Sequence, residues 1–376
     1  MTSMATLPDQ FDFIVIGAGS AGAVVAARLS EDRRHRVLLL EAGEAPTSFW
    51  HKLPIGVAKL MTNVRTMWPI VSGPEQAMHD KQLFAGRGKA LGGSSAVNGM
   101  LWTRGDASAY DQWRDLGCPG WGWDEVLPVL KKMESYPQGD ARLRGHDGPV
   151  HVRENRPDPL SEAFLDAAAQ IGIERVSDYN SCKTIGGSYL QTNTRNGWRW
   201  GTYEAYLRPA SRRQNLRIQT HAHVQRIAVT QGSASGVHYQ LRDAQGNVTH
   251  HHARARCEVI LSAGAYHSPK LLELSGIGAG HRLQKLGIPV VCDSPGVGEH
   301  LMDHLRVAIS MRCLRPITVN DIVHSPPRRI QAALQFAVFR SGWLATASMS
   351  AQAILASGFD GDRPDIKLQL NGVILK

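Results

Sequence analysis

The residues best spaced to do chemistry lie near the start of the chain. Gly17, Gly19 and Gly22 form a G-x-G-x-x-G run between the β-branched apolar segment Phe11 to Ile16 and the apolar stretch Ala23 to Leu29. The first glycine permits a tight turn, the second lets a pyrophosphate approach the backbone, and the third lets a helix pack closely on its strand. N–H groups at the helix start, from Ser20 onward, complete an anion site with the helix dipole. Glu41 follows 19 residues after Gly22, at the end of a second apolar run, Arg36 to Leu40. There a carboxylate can accept from the ribose hydroxyls of an adenine dinucleotide. Strand, glycine turn, helix and acid together read as a dinucleotide site. The motif does not choose between FAD and NAD, but Glu41 argues against the 2′-phosphate of NADP.

Two further segments are rich in turn residues. Gly86 to Met100 holds five Gly and two Ser, a backbone able to lie flat against a planar or anionic ligand, with the Asn98 amide beside it. Gly264 to Gly278 has the grammar of a short capped helix, with Ser268 as N-cap, Pro269 at the first helical position and Gly276 as the stop. His221-x-His223 and His250 to His252 have no carboxylate or cysteine at coordinating spacing, so no metal is expected. His267, His300 and His304 read as loop or capping histidines.

The elements that must position these groups alternate. Phe11 to Ile16, the helix after Gly22 and Arg36 to Leu40 make a βαβ crossover in a parallel sheet. His51 to Gly93 is an irregular excursion. Helices are expected at Trp123 to Met133, with Asp124 able to cap, and at Ser161 to Ile171, with Ser161 as N-cap and Ala163, Phe164, Ala167 and Ala168 on one face. Arg217 to Gln219, Val224 to Val229, Gly236 to Leu241 and Val248 to His252 read as a β-meander, and Cys257 to Leu261 as another buried strand. Ile330 to Ala356 is apolar and helix-like.

The chain has 376 residues, 42 Lys and Arg against 33 Asp and Glu, and 43% hydrophobic residues, which describes a globular protein rather than a disordered or collagen-like one. The net charge of +9 is dispersed, with no groove-binding element, so no nucleic-acid partner is expected. Five cysteines, widely spaced and without C-x-x-C, suggest buried free thiols in a reducing compartment. With neither a leader-like N-terminus nor a membrane-length apolar run, the expected location is cytoplasmic, with peripheral membrane association still open.

The first motif with Glu41, the segments Gly88 to Asp111 and Gly264 to Gly278, and Gly296 to His304 (GVGEHLMDH) occur in the order of the glucose–methanol–choline (GMC) oxidoreductases. The chain resembles that family over roughly Asp9 to His304, most of all its choline-dehydrogenase-like and alcohol-dehydrogenase branch. The resemblance implies an α/β fold, α+β overall. A Rossmann-like FAD-binding domain with a parallel sheet and meander (1-155 and 212-315) would be interleaved with an incomplete substrate-binding domain (156-211 and 316-376). It implies FAD with pyrophosphate at Gly17, Gly19, Ser20 and Gly22 and ribose on Glu41. The isoalloxazine would lie along Gly92, Ser94, Asn98, Gly99, Met100 and Leu101, and adenine at the backbone of Val224. Some members attach flavin covalently through a histidine where this chain has Val97, so noncovalent FAD is expected.

Family chemistry is oxidation of an alcohol CH–OH, with hydride passing to flavin N5 and a proton to a histidine; the electron acceptor is oxygen or quinone-like. That histidine and its partner correspond to positions beyond Lys376, so the chain is expected to be C-terminally truncated and no catalytic residue is assigned within it. A non-catalytic FAD-binding remnant or unstable fragment is the alternative, and an NAD-dependent dehydrogenase rests on the first motif alone.

Overall fold

A computed structural model describes residues 10–181, 183–346, 349–359 and 361–373. In chain order its principal elements begin with β1 (Gln10–Ile16), α1 (Ser20–Leu29), β2 (Val37–Leu40), α2 (Trp123–Met133), α3 (Pro159–Gln170), β3 (Gly186–Tyr189) and β4 (Gln191–Thr192). They continue with β5 (Leu216–Gln219), β6 (Ala222–Thr230), β7 (Ser233–Arg242), β8 (Val248–Leu261), α4 (Gly264–Leu274), α5 (Pro326–Phe339), β9 (Met349–Leu355) and β10 (Ile366–Asn371). The chain divides into two compact units, one of residues 1–47, 59–97 and 202–307, the other of 48–58, 98–201 and 308–376. The units interleave, and the first long crossing falls between Val97 and Asn98, not at 155 as the resemblance implied. The returns fall at 201/202 and 307/308, against expected changes at 211 and 315.

The first unit is built on a six-stranded sheet ordered β5-β2-β1-β8-β7-β6. β1 pairs in parallel with β2 and with the second half of β8, and β5 in parallel with β2, while β6, β7 and the first half of β8 form an antiparallel meander. Strands covered on both faces need apolar residues at every position, and Val37–Leu40 is buried throughout. One core cluster joins Phe11, Ile14, Ile16, Leu38 and Leu40 to Val224, Ile227, Val237 and Tyr239 of the meander and to Leu271 of α4. α1 buries Gly22, Ala23, Ala26 and Ala27, the small residues that let a helix sit close to a sheet.

Several sequence expectations are corrected here. Arg217–Gln219 is not part of the meander: the Asn215 amide donates to the carbonyls of Ser30, Asp32 and His35, and this clamp lays β5 alongside β2. Cys257 to Leu261 is the half-exposed end of β8, not a buried strand, because β7 stops pairing at Arg254 and only β1 continues beside it. α4 begins at Gly264 with Ala263 as N-cap, so Ser268 and Pro269 lie inside it; Gly276, at φ 84°, does follow its end.

In the second unit, α2 is capped by Gly122 without a side-chain bond, leaving Asp124 in the first turn, where its charge still meets the dipole. The cap of α3 is Asp158, which accepts from Leu160 N–H and Ser161 N–H, and Ser161 donates to it. The buried stripe of α3 is Ser161, Leu165 and Ala168, while Ala163 and Ala167 are exposed. Ile330 to Ala356 is helical only as far as Phe339, and its end is β9, the middle strand of a sheet ordered β10-β9-β3. α3 packs on that sheet through Ala168, Ile173 and Ala353. The thiols of Cys118, Cys257, Cys292 and Cys313 are free and exposed, contrary to the buried expectation; Cys182 lies outside the described residues.

Candidate functional site

In the first unit both glycine-rich segments meet. The turn at Gly17, φ 91°, leaves no space for a side chain, since a Cβ there would stand 2.6 Å from the Ser262 carbonyl oxygen, and one on Gly22 would overlap the Gly17 carbonyl. Gly19 is different: nothing comes nearer to its Cβ position than that same oxygen at 4.0 Å. Crowding therefore fixes the turn at two glycines, and open space at the third lets a ligand reach the backbone. α1 starts at exposed Ser20 with no side-chain cap and no acid in its first turn. Its first N–H groups have no partner within the helix and face an anion's position without competition.

The second glycine-rich segment is part of this site, not a surface loop. Gly92 N–H donates to the Ala18 carbonyl at 2.7 Å, and a Cβ on Gly93 would stand 2.6 Å from Gly19 Cα. Gly92 and Gly93 both have positive φ, 94° and 51°. Ser94 Oγ accepts from Gly88 N–H, and Ser95 Oγ, 2.9 Å from Thr202 Oγ1, donates to the Gly92 carbonyl, so the loop is braced from within. Val97 is buried with Leu60, Met67, Ala90 and Ala96, a cluster containing no nucleophile.

Glu41 lies where the sequence places it, buried at the end of β2. One carboxylate oxygen accepts from Ala18 N–H and the other from Gly43 N–H, each at 2.9 Å, which leaves lone pairs on both for ribose hydroxyls. Burial pushes the carboxyl above the ordinary glutamate value, against the backbone N–H bonds and the charge of Lys89. Ala222 N–H donates to the Glu41 carbonyl, which brings β6, and Val224 two residues on, to this strand end; the Val224 side chain points into the core.

Sequence reasoning missed a basic aromatic cluster in the same unit. Lys89 Nζ lies 4.4 Å from the Trp68 ring centre, with His267 at 4.7 Å and His223 at 5.7 Å from that ring. Desolvation first, then the Lys270 charge, lowers the His267 pKa, and desolvation followed by the Lys89 and Lys270 charges lowers that of His223. His267 is thus neither a loop nor a capping residue but part of α4 packed on an indole. His300 and His304 are exposed and outside any regular element.

The remaining cofactor candidates belong to the second unit. The Asn98 side-chain oxygen accepts from Met100 N–H and from Arg199, holding Met100 at φ 60° and fully buried, with Gly99 beside it open to space. Leu101 bridges Thr192, Asn193 N–H donates to the Met100 carbonyl, and Trp102 N–H donates to that of Gln191, so strand β4 carries the loop. Just beyond stands a buried ionic network that sequence reasoning also missed. Glu134, 0% exposed, accepts from Arg104, Arg144 and the Trp102 indole at 2.6, 2.7 and 2.7 Å, and Arg144 also reaches Asp178 and Gln191. Desolvation opposes the Arg144 charge, but Glu134 and Asp178 carry its pKa above the ordinary value. Its members are dispersed from 102 to 191, so no local pattern announces them.

The sequence profile of the family described as GMC oxidoreductase matches residues 11–306. An oxygen-dependent choline dehydrogenase of Rhizobium rhizogenes is 38% identical over 95% of this chain and 64% of its own length. The mitochondrial choline dehydrogenase of Mus musculus is 38% identical over 96% of this chain and 61% of its own. Among solved structures, pyridoxine 4-oxidase from Mesorbium loti is 34% identical with a TM-score of 0.72, covering 76% of this chain and 55% of that one. An FAD-dependent oxidoreductase from Chaetomium thermophilum is 27% identical with a TM-score of 0.83, covering 93% and 62%. The chain therefore spans less than two thirds of the length of these relatives.

Proposed function

The chain belongs to the GMC oxidoreductase family, and from that premise we propose that it holds FAD noncovalently in an enzyme that oxidises a small primary alcohol to the carbonyl level. FAD is its cofactor. The observation that carries the reading is the docking of Gly92 and Gly93 onto Ala18 and Gly19, which joins the two glycine-rich segments into one cradle. The open face of Gly19 and the uncapped start of α1 take the pyrophosphate, Glu41 takes the adenosine ribose, and the backbone of Val224 takes the adenine edge. Gly92 and Ser94, on the same cradle, would contact the isoalloxazine. Val97, packed in an apolar cluster, offers no atom for a covalent flavin link.

Bound FAD supplies the hydride acceptor; the protein supplies binding, orientation and exclusion of water. Choline and pyridoxine, the alcohols in the names of the relatives, represent two substrate chemistries, one a quaternary ammonium and the other a polar ring. Oxygen or a quinone-like molecule is the electron acceptor. The test is a visible spectrum of the purified chain before and after acid precipitation. The expected result is two flavin bands, with the flavin left in the supernatant. A chain that neither retains FAD nor takes it up when it is added overturns the reading, and flavin that precipitates with the protein overturns noncovalent attachment.

A further inference from the structure

The sheet β10-β9-β3 has two unlike faces. α3 covers one, where Ala353 packs against Ala168, Gly187 faces Leu165 and Tyr189 donates to Glu162. Strand alternation turns Gln352 and its cross-strand partner Ser188 to the other face. Gln369 pairs with Gln352 from β10, and Lys367 stands opposite Ile354, so a row Ser188, Gln352, Gln369 lies on that face with a cation beside it.

Two members of the row stand out. Gln352 is 0% exposed and Ser188 3%, yet neither the amide oxygen, the amide nitrogen nor the Ser188 hydroxyl has a hydrogen-bond partner among the described residues. Other buried polar groups of this unit are paired, the Asn180 amide with Gln191 and the Trp102 carbonyl, and Ser161 with Asp158 and Ser350. A dry, unpaired amide weakens a fold, and a methionine of the same length would not. Such groups persist where something outside the fold completes them. β3 runs on into β4, whose Thr192 bridges Leu101. Ser188 is thus four residues, at most about 14 Å, from Thr192, which carries the loop that the resemblance assigns to the flavin.

We propose that Gln352 and Ser188 form a recognition subsite for a neutral hydrogen-bonding substituent of the alcohol substrate, such as a hydroxyl, a carbonyl or a ring nitrogen, and select against quaternary ammonium alcohols. The proposal rests on the alcohol-oxidising reading above. An amide and a hydroxyl offer both donors and acceptors. A trimethylammonium group has no N–H to give and is held by carboxylates or aromatic faces. The row has neither, and Lys367 repels a cation.

The test compares the full wild-type chain with Q352M and S188A, using pyridoxine and choline as probes in titration calorimetry and thermal melts, with flavin content read separately from the spectrum. Pyridoxine is expected to bind at least tenfold more tightly than choline. Q352M is expected to lose at least tenfold for pyridoxine while its ligand-free Tm rises, and S188A to shift both in the same directions by less. Equal or tighter binding of choline, no binding of either probe, or unchanged pyridoxine affinity in both variants overturns the proposal. A fall in the ligand-free Tm of Q352M also overturns it, because the amide would then have a structural partner. A wild-type chain without flavin counts against the proposed function, and the melts and calorimetry still decide the role of Gln352.

Discussion

Glu41 serves two ends that pull against each other. Its carboxylate ties the glycine turn to the strand end through Ala18 and Gly43, and its burial raises the pKa. For an acid whose folded pKa lies above its unfolded one, the stability contribution is fully present below the unfolded value and is lost as pH rises through the folded value. The ligand-free fold therefore loses stability at Glu41 as pH rises above the ordinary glutamate range, because ionising the carboxyl where it is buried costs more than ionising it in the unfolded chain. In E41Q that burden is absent, so the difference in Tm between variant and wild type is expected to move in the variant's favour as pH rises from 4 to 7. FAD retention is expected to move the opposite way, weakening about tenfold or more with the loss of the carboxyl oxygens that accept from the ribose. Melts across that pH range and flavin content after gel filtration check both; a Tm difference that stays flat with pH would remove the burial argument.

At the level of elements, the loop Asn98 to Leu101 is only as well placed as strand β4 and the ionic network behind it. Glu134 is shared by two arginines and an indole, and removing one partner leaves charge buried without its full complement. R144M is expected to cost about 3–5 kcal/mol, read as a lower denaturant midpoint. A loss below about 1 kcal/mol would mean that Arg104 alone satisfies Glu134. The glycine turn and Glu41 were legible in the sequence because their geometry is set by near neighbours: a tight turn, a helix start, a fixed run to the next strand end. The caps were not, since Asp158 and Ser161 are both good N-caps and the choice falls to tertiary burial of Ser161 against Ser350. Nor was the place of β5, read as a strand but assigned to the meander, because its parallel partner is far away in the chain. The Glu134 network and the Gln352 row arise from pairings between distant segments, which no period or motif encodes.

For the molecule as a whole, exposure of Cys118, Cys257, Cys292 and Cys313 predicts that at least four thiols react with a disulfide reagent before any denaturant is added. Fewer than four in the native titration would contradict their placement. No helix among the described residues is long and apolar enough to cross a membrane. The pairing of β1 with β8 has a further consequence, in time rather than in space. Gln10–Ile16 leaves the ribosome about 245 residues before its partner Arg254–Leu261, an interval of roughly 12–50 s at ordinary rates of synthesis. Until then β1 has β2 on one side only and its other edge is open, and the turn at Gly17 lacks Ser262, whose N–H bonds the Ile16 carbonyl and whose own carbonyl backs the turn. The nascent chain must be kept from other edges for that interval, and FAD cannot serve as a template for early folding. Its cradle is among the last parts of the first unit to exist, although its glycines are among the first residues made.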